Sequence, residues 1–148
     1  MLQAKSLSPQ AQATLEAWHE LLKRNAMEEL DPLLSDDIVF RSPVAHSPYP
    51  GREAIKMVLK NVNQVFQNFR YHRYFVSECG TSAVLEFSAE VSGKSLKGAD
   101  FLRFDEQGKI VEFEVMVRPA SGLQALGAEM SRRLEPYKDM LFGRTQKA

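Results

Sequence analysis

A single cysteine, Cys79, stands among 148 residues, so no disulfide can form within the chain. A cytoplasmic protein held together by its core is the simplest expectation. Net charge is also missing, because 19 Lys plus Arg balance 19 Asp plus Glu. General nucleic-acid binders carry a basic excess, so no nucleic-acid partner is expected. No apolar run approaches the ~20 residues that span a bilayer, and MLQAKSLSPQ lacks the apolar stretch of a secretion signal. A membrane partner is therefore not expected either. The three histidines, His19, His46 and His72, are too scattered for metal-ligand spacing, so no metal is expected, and no cofactor is expected either.

What is present is an ordinary globular composition, 44% hydrophobic and 26% charged, of a length that suits one domain over 1–148. Ser8-Pro9 is a good helix start, and Leu15, Trp18 and Leu22 follow as an apolar stripe. A shorter helical piece carries Met27, Leu30, Leu33 and Leu34, interrupted by Pro32. DIVFR, residues 37–41, reads as a short strand. SPVAHSPYPG, residues 42–51, has three prolines and a glycine and reads as a loop. Ile55, Val58, Leu59, Val62 and Phe66 then mark one face of a third helix.

The second half changes period. Segments 69–78, 83–91, 95–105 and 109–118 read as four consecutive strands, separated by the turns CGTS, SGK and DEQG. Val111, Phe113, Val115 and Val117 share one face of the last strand, opposite Glu112, Glu114 and Met116. A final amphipathic segment carries Leu123, Leu126, Met130 and Leu134, so a C-terminal helix and tail are expected over 120–148. Helices segregated from an antiparallel sheet make the fold class α+β. The expected architecture is a cone: three N-terminal helices packed on a curved, mainly antiparallel sheet, plus a C-terminal helix.

One strand contains an anomaly. In GADFLRF, residues 98–104, Asp100 shares a face with Leu102 and Phe104. A carboxylate beside large apolar groups needs a reason.

Two segments carry a resemblance. LLSDDIVFRSP with PGREAI, and ADFLRFDEQGKIVEFEV, resemble the nuclear transport factor 2-like superfamily, which includes ketosteroid isomerase and the SnoaL-like polyketide cyclases. The resemblance covers a core of residues 8–119. It implies a pocket on the concave face of the sheet, lined by Leu85, Phe87, Ala89, Asp100, Leu102, Phe104, Phe113, Val115 and Val117. It also implies a homodimer formed through the convex sheet surface.

By the same resemblance, Asp100 stands where ketosteroid isomerase keeps a protonated Asp. Apolar surroundings raise an acid's pKa, and the neutral acid can donate to a developing oxyanion. That isomerase is itself the established example of this effect. The alternative for Asp100 is a structural hydrogen bond. Ser42 stands in place of the isomerase's general-base Asp, and a serine hydroxyl takes no proton unaided at neutral pH. Trp18 stands in place of its oxyanion-hole Tyr; an indole N–H donates but is not an acid. Classical steroid isomerisation is disfavoured on these two positions. His46 and Tyr49 lie in the proline-rich loop near the expected pocket mouth, and His46 is the candidate base. Trp18 also reads simply as a core aromatic, and His46 as an exposed loop residue.

Two functions follow. The first is a SnoaL-like pocket protein that isomerises, cyclises or dehydrates a hydrophobic carbonyl compound, with Asp100 as acid and His46 or a water as partner. The second is a non-catalytic ligand-binding or dimeric scaffold module of the same fold.

Overall fold

The structure, a computed structural model, describes residues 6–142. Helix α1 spans Pro9–Arg24. Ser8 caps it by accepting the Ala11 N–H, and Asn25 closes it in the left-handed conformation at φ 56°. Helix α2 spans Arg52–Val65 and buries Ala54, Ile55, Val58, Leu59 and Val65.

Between them the expected short helical piece carrying Met27, Leu30, Leu33 and Leu34 does not form one helix. Met27–Glu29 and Asp31–Leu33 are two 3-10 turns, and strand β1 begins at once, over Leu34–Arg41. Pro32 lacks the N–H that a continuous helix needs there, while its fixed φ suits the start of the second turn. The turns still bury Met27, Leu30 and Leu33. Two helices therefore precede the long strands, not three.

The proline-rich loop contains a two-residue strand, β2 (Tyr49–Pro50), which pairs antiparallel with β1. The four expected strands are β3 (Gln67–Val76), β4 (Ser82–Val91), β5 (Lys94–Phe104) and β6 (Ile110–Arg118). They form a meander, and β1 closes it by pairing parallel with β6, giving the order β2-β1-β6-β5-β4-β3. The sheet is curved, open and mostly antiparallel, with helices on one face.

Bulges supply part of the irregularity. One sits in β6, where Phe104 pairs with Ile110 while Arg103 pairs with Glu112. Val111 is the extra residue, so Ile110 and not Val111 enters the core. Gly98 permits a close approach inside the sheet. A Cβ there would lie 2.4 Å from Phe87 Cζ and 2.7 Å from the Met116 carbonyl oxygen.

The last helix, α3, spans Ala120–Leu134 and buries Leu126, Met130 and Leu134. A 3-10 turn, Glu135–Tyr137, leads into a short helix α4, Lys138–Phe142. These cover the start of the expected tail, residues 137–148, and residues 143–148 lie outside the described residues. Among the described residues no helix is long and apolar enough to cross a membrane.

A candidate acid site in an apolar cavity

The inward faces of α1, α2, α3 and the sheet do not close fully on one another. They leave a cavity of about 80 Å³ whose mouth opens to solvent. Its wall is largely aromatic and aliphatic, including Trp18, Phe40, Phe66, Phe69, Phe87, Phe113 and Val115. Asp100 opens onto it from the middle of β5.

Asp100 is only 6% exposed, one of two buried polar or charged residues among those described. Its partner is Tyr71 on β3, whose hydroxyl lies 2.7 Å from Asp100 Oδ2. Trp18 on α1 donates its indole N–H to the same Tyr71 oxygen at 3.0 Å. Burial drives the Asp100 carboxyl up to about 7, and the Tyr71 hydrogen bond opposes that rise. Tyr71 is held well above the usual phenol range, first by burial and then by the neighbouring carboxylate. The phenol therefore stays protonated at neutral pH, while Asp100 exists in both forms. As an acid its free oxygen donates to a ligand carbonyl; as a carboxylate it accepts a proton.

Packing fixes this arrangement. Phe69 meets Tyr71 edge-on at 5.0 Å between centroids, and Phe69 stacks on Phe87 at 5.2 Å. Trp18 meets Phe113 edge-on at 5.5 Å.

The expected site residues divide. Trp18, Ser42, Tyr49, Phe87, Asp100, Phe113 and Val115 line the cavity. Leu85, Leu102 and Phe104 are buried but belong to the solid core outside the cavity wall. Leu102 and Phe104 lie along β5 toward the Asp105–Gly108 turn, where Phe113 and Ile110 pair with them. Val117 is half-buried against the core and also lies outside the wall.

His46 is exposed on its loop and does not reach the cavity. The cause is local. Ser42 Oγ accepts the N–H groups of Val44 (3.1 Å) and Ala45 (2.9 Å), which folds the loop and brings Val44 to the wall. The Tyr49 hydroxyl also pairs with Ser42, while burial raises that phenol's pKa. Ser42 thus serves the loop.

Tyr71 is the residue that sequence reading misses. Its strand was legible as aromatic, but irregular pairing between Tyr71 and Tyr74 breaks the alternation that would assign its face. The available signal was Phe87, which faces inward and pairs directly with Tyr71. Among the described residues no group of three His, Cys, Asp or Glu side chains gathers as metal ligands would.

Comparisons with known proteins agree with this architecture. The SnoaL-like domain family matches residues 15–113. A solved structure of a steroid delta-isomerase from Pseudomonas aeruginosa is 55% identical, with a TM-score of 0.86, covering 89% of this chain and 96% of that one. A bacterial protein with a cystatin-like fold from Silicibacter pomeroyi is 30% identical, with a TM-score of 0.80, covering 88% of this chain and 92% of its own. The epoxide hydrolase/cyclase-like enzyme SalBIII shares the fold at 13% identity and a TM-score of 0.62, over 74% of this chain and 92% of that one. No curated protein matches. The chain belongs to the SnoaL-like domain family and has the nuclear transport factor 2-like fold.

Proposed function

We propose that this protein binds a neutral, hydrophobic carbonyl compound and performs acid–base chemistry beside the carbonyl, as an isomerase, cyclase or dehydratase. The carrying observation is the Tyr71–Asp100 hydrogen bond of 2.7 Å within a largely apolar cavity. Among the described residues no Lys, Arg or His lines the wall, so none of them compensates an anionic ligand. Asp100 is the proton-exchanging group. A water at its free oxygen is the partner, in preference to the exposed His46. No cofactor is required for such a proton transfer, and the compartment is the cytoplasm.

The likeness to a steroid delta-isomerase makes a β,γ-unsaturated steroid ketone the first compound to try. The wall residues count against a mechanism with two carboxylates, because Ser42 is engaged with its own loop. That same observation favours a second reading, a binding module without turnover.

The test uses a panel of β,γ-unsaturated and β-hydroxy ketones, with turnover and binding measured separately. The native protein is expected to turn over at least one of them. Asp100→Asn is expected to lose roughly 10²–10⁴-fold in kcat, the usual worth of a general acid–base group. Binding without turnover in the native protein, followed by the quench of its single tryptophan, would establish the binding module instead.

The same reading includes a homodimer. Phe75, Phe101 and Met116 stand 52%, 36% and 52% exposed on the convex sheet face, and a second copy would cover them. Light scattering should give a dimer that Phe101→Lys with Met116→Lys converts to monomer. A native monomer at high concentration would end the idea.

A further inference from the structure

The hydrogen-bond chain into the cavity has a direction. An indole N–H can only donate, so Trp18 makes the Tyr71 oxygen an acceptor. The phenol still has one proton to place. Asp100 Oδ2 is its remaining partner, and the rings of Phe69 and Phe87 pack beside it. Turning that proton toward apolar neighbours would leave a buried donor without an acceptor, which is unfavourable. Trp18 has little freedom to move, being 3% exposed and packed edge-on against Phe113.

We propose that Trp18 is the positioning residue of this site. Its N–H fixes the Tyr71 hydroxyl so that the phenol proton is committed to Asp100 Oδ2, leaving Oδ1 as the oxygen that exchanges a proton with the ligand. The assignment rests on reading Asp100 as the acid–base group. It gives the indole a role toward another side chain, where the resemblance alone would aim it at the ligand. It also explains why an indole is suitable at this position. A phenol there could either donate or accept, and the chain would lose its direction.

Donation by the indole polarises the phenol and strengthens the bond it gives to the carboxylate. That bond favours the charged form of Asp100. Removing the indole N–H should therefore make Asp100 hold its proton to higher pH. Two other titratable groups face this chain. His19 on α1 packs its ring 5.3 Å from Tyr71, in the company of Glu16 and Lys23, and burial lowers its pKa. Tyr49 lies elsewhere on the cavity wall, with its phenol raised.

The experiment is an NMR titration of the full chain. The Asp100 carboxyl is followed by ¹³C, and the single tryptophan's indole proton by ¹⁵N correlation. In the native protein the indole resonance should move with the same midpoint as Asp100. That movement should vanish in Asp100→Asn and Tyr71→Phe, and persist in His19→Gln. Trp18→Phe should raise the Asp100 midpoint by roughly half a pH unit, and Tyr71→Phe by more, since it removes the direct bond. An indole resonance that ignores the Asp100 midpoint would overturn the proposal, even where Trp18→Phe fails to fold. So would its movement disappearing with His19. None of these readouts needs turnover. Failure of every ketone in the panel would sink the catalytic reading while the relay was still decided by titration.

Discussion

The two faces of strands β4 to β6 treat carboxylates in opposite ways. On the concave face Asp100 has a phenol for a partner and no cation, and burial pushes it up to about 7. On the convex face Glu86 meets Arg73 at 2.8 Å and Lys97 at 3.3 Å, and it is held down to about 2, chiefly by Arg73. Glu112 sits between Arg103 and Arg41 and is lowered in the same way. The backbone is common to both faces. What differs is the medium and the partner: an apolar wall opposes charge, while a guanidinium in water supports it. The acid that works against its surroundings is the candidate for chemistry.

That contrast predicts opposite responses to pH. The largest effect belongs to Asp100. Folded, it holds its proton more tightly than it does unfolded, so its contribution is full below about pH 4 and is lost as pH rises toward about 7. The interval between 3.8 and about 7 corresponds to about 4 kcal/mol as an upper bound. Urea unfolding of native protein should show this decline across the window, and Asp100→Asn should lack it. Parallel curves for the two proteins would show that the carboxyl is not desolvated in solution.

The smaller effect belongs to Glu86, whose contribution is present above its ordinary pKa and lost as pH falls toward about 2. Glu86→Gln should leave the thermal midpoint at pH 7 within about 2 °C, as exposed ion pairs contribute little. Only the acid limb of the stability curve should flatten. A large loss at pH 7 would mean that the convex face is buried against another molecule.

Most of the sheet was readable in advance because alternation is a local property. Period grouped Phe87, Asp100, Phe113 and Val115 with the inward residues of their strands, the resemblance put that face on the concave side, and all four line the cavity. The misassignments fall where the period breaks or where depth matters. Pro32 divides a supposed helix into two 3-10 turns. A bulge exchanges Val111 for Ile110 in the core. Leu85, Leu102 and Phe104 face inward as expected, yet the space beside them is filled. Alternation gives a side but not a distance from an opposing helix. For His46, a polar residue in a loop near the mouth had no periodicity to orient it, and the Ser42 turn leaves it in solvent.

Within the chain itself lay the α+β order, which residues share a face in β4, β5 and most of β6, and the presence of one acid among apolar neighbours. These follow from contacts between near residues and from side-chain period. The identity of that acid's partner was settled only by tertiary structure. Tyr71 is 29 residues from Asp100, and Trp18 is 53 from Tyr71. Such pairs are set by strand register, by an irregularity in β3 and by the seating of α1 on the sheet. No local spacing encodes them, because register depends on how the whole concave face packs.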